Sequence, residues 1–570
     1  MRFLALACDY DGTLATGGRV EPGTVDALRR VRESGRKLVL VTGRELGDLL
    51  DAFPDAVLFD RLVGENGGTL YRPQTKETVP LAPPPDERLI AALRAAAVPL
   101  AIGDAVVATG EPHQGVVLET IRRLGLELEV VFNKGAVMVL PTAVNKASGL
   151  RAALLELGLS PHNAVAVGDA ENDHTFLEAC EYRVAVANAL PALKERADRV
   201  TQDPAGAGVR ELVELLLDDD LAGLTAGLAR LALTLGGREE ADLQVPLRTS
   251  LLVAGPSATG KSTFATALLE QLGERGYQRL VVDPEGDYRA LEGATVVGDE
   301  RRPPVVDETL ELLGRPDQSV VVDLTGVAVG DRPAFFGAFF PRLLELRAAT
   351  GRPHWMQIDE AHHLLPASWR PASIQMPQEL GGLVLVTVRP DAVAPAVVRH
   401  ADAVVAFGDD AGATLASFAA PADGEERAVA PPVPPPDALE GDTAVYWAPG
   451  SAPTRFRPVR AKQELLRHRR KYAVGELGPE DSFYFTGRDG RLHLRAQNLA
   501  VFLQTADGVD DDTWRYHLER HDVSRWMRER INDDELADAV DEVERDQDLS
   551  PRESRERVRR EVDARYTAPA

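Results

Sequence analysis

The chain has little cysteine. Cys8 and Cys180 are the only two thiols among 570 residues. So sparse a set does not make a disulfide framework, and a reducing cytosol is the expected compartment. Long apolar runs are also missing, since no stretch approaches the eighteen or so residues of a membrane span. Met1 to Cys8 is too short for a leader, and Asp9 and Asp11 follow at once, so it reads as a first core strand. Basic residues are outnumbered, with 64 Lys and Arg against 89 Asp and Glu, a formal charge of −25. That balance disfavours nonspecific nucleic-acid binding, although a local basic patch could still act. What remains is ordinary globular composition, 44% apolar and 27% charged, at a length that suggests several domains.

The first positive signal is at the start. Phe3 to Cys8 is apolar, and Asp9-Tyr10-Asp11-Gly12-Thr13 follows. A buried parallel strand reads as a near-continuous apolar run, and ligand groups sit past its carboxyl end. Three more stretches share that form. Val39 to Val41 ends in Thr42-Gly43-Arg44, Lys146 opens a helical segment, and Ala164 to Val167 ends in Gly168-Asp169-Ala170-Glu171-Asn172-Asp173. The ordered set DxDGT, TGR, K and GDxxND resembles the haloacid dehalogenase-type phosphohydrolases. Its Cof-type branch, with a cap between the second and third motifs, is the nearest match, and Gly64-Glu65-Asn66-Gly67 looks like that branch's ENG turn.

The resemblance covers roughly residues 1 to 217 and implies a magnesium-dependent phosphatase. Asp9 would be the nucleophile, and Asp11 would protonate the leaving oxygen and then activate water. Thr42 and Lys146 would hold the phosphoryl oxygens. Asp9 and Asp169, with the backbone carbonyl of Asp11, would hold Mg2+, and Asp173 would support the metal site or Lys146. Arg44 and Glu171 read equally well as surface charge. The substrate would be a small phosphorylated metabolite, with a sugar phosphate as first guess. In the cap, His113, Gln114 and Lys134 are weak candidates for contact.

A second centre follows Leu251 to Ala254. Gly255-Pro256-Ser257-Ala258-Thr259-Gly260-Lys261-Ser262 fits G-x-x-x-x-G-K-S/T, with Thr263 to Leu272 helical after it. Backbone N–H groups there would cradle phosphates, Lys261 would reach the outer ones, and Ser262 would bind magnesium. Trp355 to Ile358 leads into Asp359-Glu360-Ala361-His362. Asp359 would hold magnesium through water, and Glu360 would polarise the attacking water. With Asp283-Pro284-Glu285-Gly286-Asp287-Tyr288 and Val386-Thr387-Val388-Arg389-Pro390, the set resembles HerA/FtsK-type ATPases. That resemblance implies ATP as ligand, with Gly255, Gly260, Lys261, Ser262, Thr263 and Asp359 around it. It also implies a homo-oligomer, a hexamer by the family's habit. Val388 stands where those translocases carry a sensor glutamine, which puts DNA-motor activity in doubt. Arg342, Arg347 and Arg352 are candidates to act in trans.

The expected fold is a multidomain α/β protein. A Rossmann-like phosphatase core spans 1–78 and 142–217, and a small α+β cap spans 79–141. A P-loop α/β domain spans 225–460, and a mainly helical domain spans 476–570. Strands are expected at Val57 to Val63 and at Leu492 to Leu494. The 430–436 run is a Pro-rich linker, and Arg467 to Tyr472 a solvated basic face rather than a phosphate or nucleic-acid site. Trp514, Leu518, Trp526 and Ile531 should form the last core. Two other functions fit the domain pairing. One is nucleic-acid processing, either as an end-processing phosphatase–kinase, against which the glutamate after Asp359 and the acidic charge argue, or as a DNA motor, which Val388 puts in doubt. The other is a scaffold whose ATP module only switches conformation.

Overall fold

The computed structural model describes residues 2–133, 135–238, 241–257, 259–368, 380–419, 432–433, 443–462, 472, 477–479, 481–490, 492–531, 533–546 and 548–566. Lys134, Ala258, nearly all of the Pro-rich run and the basic stretch before Tyr472 lie outside them. No helix among the described residues is long and apolar enough to cross a membrane.

The N-terminal half is built on an eight-stranded sheet. Its order is Arg199–Val200, Tyr182–Ala185, Ala164–Gly168, Ala5–Cys8, Lys37–Val41, Arg61–Gly64, Thr69–Arg72, Glu77–Pro80. The first six are parallel, and the last two turn back as an antiparallel hairpin. The central strands are buried on both faces, which is why they read as unbroken apolar runs. The expected Val57–Val63 strand is corrected. Pro54–Leu58 is a 3-10 turn, because Pro54 presets the backbone for it, and the strand is Arg61–Gly64.

Between Pro80 and Pro141 the cap forms its own antiparallel sheet, ordered Leu128–Asn133, Ala136–Pro141, Val107–Gly110, Ala101–Ile102. Helices Glu87–Ala95 and Gln114–Leu124 cover it, with Leu89, Leu93, Val117 and Ile121 in the shared core.

The second half carries an eleven-stranded sheet. Seven strands run parallel in the order Ala403–Phe407, Leu251–Ala254, Leu383–Thr387, Trp355–Ile358, Arg279–Asp283, Ser319–Asp323, Ala294–Val297. The Ala444–Trp447 and Thr454–Pro458 strands extend it antiparallel. The last unit is a short hairpin and a set of helices. Its second strand is Leu494–Ala496, two residues later than expected, because His493 stacks on Tyr484 instead of entering the ladder. Trp514 and His517 are packing residues. The indole donates to Ser554, and His517 accepts from the Thr486 N–H.

The two large sheets abut through the amino ends of their parallel strands. Arg2, His162, Asn163 and Glu181 on one side meet Tyr277, Gly351, Arg352 and His354 on the other. Tyr277 donates to Glu181 at 2.7 Å, and its ring stacks on His162 at 3.8 Å. Arg352 donates to the Gly158 carbonyl at 2.6 Å.

Candidate active site

Asp9 directly follows the Ala5–Cys8 strand, whose neighbours end at Val41 and Gly168. The parallel sheet therefore delivers Asp9, Thr42 and Asp169 to one edge. Gly12 turns the chain at φ +90°, in the left-handed region. Lys146 arrives from the side as the first residue of helix Lys146–Glu156. Asn145 caps that helix, accepting from the Ser148 N–H while its own N–H meets the Ser148 hydroxyl.

Lys146 is 2% exposed and donates to Asp9 at 2.5 Å and to Asp173 at 2.6 Å. An ammonium has three protons, so one direction remains for a phosphoryl oxygen. Burial works against its charge, but Asp173 and Asp9 outweigh that and hold Lys146 above the usual lysine range. Burial, then the Asp173 charge, pushes the Asp9 carboxyl up to about 7, partly offset by Lys146. The other oxygen of Asp173 accepts from the N–H groups of Asp169 and Ala170. Asp173 thus fixes both the lysine and the acidic loop. Gly168 is required there, because a Cβ would lie 2.7 Å from the Asp173 carboxylate.

Asp9, Asp169 and Asp173 are all buried, with oxygens within 4.8 Å of one another. Three carboxylates against one lysine leave an excess of buried negative charge, and an all-oxygen donor set of this kind fits Mg2+. Two polar groups that the sequence reading did not single out tune it. The Thr13 hydroxyl meets Asp169 at 3.2 Å, and Asn188 Nδ2 donates to the Gly12 carbonyl at 2.8 Å. Thr13 lay inside the DxDGT motif. Asn188 carried no motif at all.

The Asp11 side chain is held by Arg44 in a bidentate pair at 2.6 and 2.7 Å. Arg44 is therefore part of the site, whereas Glu171 is exposed. Thr42 is buried and accepts the Arg44 N–H at 3.2 Å. Burial, then the Asp9 charge, pushes the Cys8 thiol up, so it is an inert strand residue.

The cavity over these groups measures about 230 Å³, and the cap roofs it with Val106, Asn133 and Met138. His113 and Gln114 do not line it. Asn133 Oδ1 is buried with no hydrogen-bond partner among the described residues. The ENG turn ties the cap down. The Glu65 carboxylate accepts from the N–H groups of Asp104, Ala105 and Val106 at 2.9, 2.7 and 3.1 Å. Asn66 bridges Asn172 and the Met138 sulfur.

In the second sheet, the loop 255–260 follows the Leu251–Ala254 strand, and helix Lys261–Glu274 begins at its end. Gly255 sits at φ +150°, where a Cβ would meet the Phe407 carbonyl at 2.5 Å. Lys261 is buried, and its ammonium donates back to the Pro256 carbonyl at 2.5 Å. Ser262 and Thr263 begin the helix beside it. Asp359 leaves the Trp355–Ile358 strand on the same sheet edge, one strand away from the loop. Glu360 follows at φ +42°. Burial, then Asp283, holds the Asp359 carboxyl well above the usual range, and its Oδ1 has no hydrogen-bond partner among the described residues. Thr387 accepts or donates at 3.1 Å with His362, near Glu360. Arg347 and Arg352 point to the opposite, amino end of the sheet and are held by backbone carbonyls there. Both therefore face away from the loop that holds Lys261 in their own chain. Arg342 pairs with Asp307 on the surface.

Comparison with known proteins meets this geometry in the first half of the chain. A family profile described as haloacid dehalogenase-like hydrolase matches residues 6–94 and 106–213. A phosphoglycolate phosphatase of Methanothermobacter thermautotrophicus is 34% identical over 218 residues, 37% of this chain and 96% of its own. Phosphoglycolate phosphatase 2 of Saccharolobus solfataricus is 32% identical over 221 residues, 38% of this chain and 92% of its own. The solved structure of a haloacid dehalogenase-like hydrolase from Bacteroides thetaiotaomicron is 20% identical, covering 38% of this chain and 99% of that one, with a TM-score of 0.34. Through this N-terminal segment, the chain belongs to the haloacid dehalogenase-like hydrolase family.

Proposed function

We propose that residues 1–217 hydrolyse a small phosphorylated metabolite through an aspartyl-phosphate. The observation that carries this is the buried Lys146 shared between Asp9 and Asp173 beside Asp169. An Asp9 oxygen attacks phosphorus, the ester bond breaks, and Asp11 gives its proton to the leaving oxygen. Water then attacks phosphorus, its proton goes to Asp11, and Asp9 is released with inorganic phosphate. Lys146 and Thr42 donate to the phosphoryl oxygens throughout. Arg44 orients the Asp11 carboxyl, and that pair must loosen for Asp11 to reach the leaving oxygen. Mg2+, held by Asp9, Asp169 and the Asp11 carbonyl with Asp173 behind them, supplies charge neutralisation when bound. The small cavity and the relatives' names favour a compact ester such as phosphoglycolate over a larger sugar phosphate. Asp9→Asn should abolish hydrolysis of an aryl phosphate while keeping the fold; a variant with wild-type turnover would overturn the assignment.

For the second module we infer ATP binding and hydrolysis. A lysine-ended loop and a buried aspartate with one carboxylate oxygen unpartnered among the described residues, on one sheet edge, support it. Lys261 would contact the outer phosphates, Ser262 and Asp359 the magnesium, and Glu360 the attacking water. An ATP-favoured homo-oligomer goes with this reading.

A further inference from the structure

The seam between the two sheets encloses two adjoining cavities, of about 180 and 310 Å³. They share the walls formed by Arg2, Leu247, Arg248, Leu380 and Gly381. Arg347 reaches the first and Arg399 the second. Four arginines thus face this space against two carboxylates, Glu181 and Asp402, in a chain whose net charge is −25. The other titratable walls add no negative charge. Burial holds the His354 and His400 imidazoles below their usual range and the Tyr277 phenol above its own. His162 completes the set.

Arg2 is matched by Glu181. Arg347 is not matched in that way. Its partners are the carbonyls of His354 and Gly381 and the Met356 sulfur, all neutral. Arg248 stands close enough that its charge, after burial, helps hold Arg347 down to about 9. Tying carbonyls together accounts for the Arg347 hydrogen bonds. It does not account for the surplus of guanidinium over carboxylate around the cavity that Arg347 and Arg248 line. A multivalent anion answers that surplus, because it offers charge and acceptors to more than one fork at once.

We propose that the seam cavity binds a small phosphate-bearing anion, either free phosphate or a compact phosphorylated metabolite, between the two modules. It lies at the amino ends of the strands, remote from Asp9 and from Lys261, and is therefore a site distinct from both. The test is calorimetric titration of inorganic phosphate into the full chain. Wild type should take up phosphate at two kinds of site. Lys146→Ala should retain the seam event. Arg248→Ala should weaken that event at least about tenfold and leave turnover of an aryl phosphate unchanged. Arg399 is exposed, so Arg399→Ala keeps the fold even where Arg248→Ala does not, and should weaken phosphate several-fold. In an Asp9→Asn background, which consumes no ester, phosphoglycolate binding more tightly than phosphate at the seam identifies a metabolite, and the reverse identifies free phosphate. Equal phosphate binding by wild type, Arg248→Ala and Arg399→Ala would overturn the proposal.

Discussion

Glu65 offers the sharpest test of how the cap is held. Its carboxylate is 2% exposed and accepts three backbone N–H groups from one cap loop, Asp104 to Val106. Glu65→Ala leaves those donors facing an apolar gap. The Ala105 and Val106 bonds are fully buried, and an unmet buried donor costs about 1–3 kcal/mol. Loss of the latch should therefore total on the order of 3 kcal/mol, which moves the closed-to-open ratio of the cap about a hundredfold. Hydrogen exchange reads this directly: the amides of Ala105 and Val106 should exchange about a hundredfold faster while those of the Ala5–Cys8 strand do not change. KM for the phosphate ester should rise in step, because closure completes the cavity. Glu65→Gln keeps one acceptor and should fall between. Wild-type exchange at Ala105 and Val106 in Glu65→Ala would refute the latch.

Three further outcomes are expected. Gly67 sits at φ +104°, and a Cβ there would meet the Asn145 carbonyl at 2.1 Å, so Gly67→Ala should displace the cap of the Lys146 helix and depress phosphatase turnover more than melting temperature. Despite burial, His162, Arg2 and Tyr277 hold Glu181 down at about 2, against an ordinary 4.5, which is worth on the order of 3 kcal/mol. Because the folded value is the depressed one, this stability is present above pH 4.5 and lost as pH falls towards 2, so Glu181→Gln should flatten acid unfolding across that window. Lys261→Ala should weaken ATP binding, whereas Glu360→Gln should bind ATP and turn it over slowly; sedimentation of Glu360→Gln with and without ATP–magnesium tests the oligomer, and a monomer in both excludes a ring.

The phosphatase centre was legible because its groups sit at strand ends and helix starts, which local sequence specifies. DxDGT, Lys146 and GDxxND each announce their own backbone geometry. The cap was legible only in its helices and its last hairpin. The short Ala101–Ile102 and Val107–Gly110 strands escaped because neither is long enough to show alternation. Glu65 and Asn188 gained their roles through partners 39 to 176 residues away, and Asn133 through the cavity itself, and no spacing rule reaches so far. Arg44 was ambiguous for the same reason, since its partner Asp11 is fixed by the fold. Which arginine could act in trans was not legible, because a charged helix says nothing about which edge of a sheet it will cover.

The back-to-back seam has a consequence for traffic through the molecule. The two sheets join at their amino ends, so the phosphatase mouth and the 255–260 loop open in opposite directions. A product released at one cannot pass to the other without first entering solvent, which rules out direct channelling within one chain. Arg352 grips Gly158, just beyond the helix whose first residue is Lys146. That helix is a stiff rod of about 16 Å. The seam contact and the ammonium that faces Asp9 therefore lie at opposite ends of one helix.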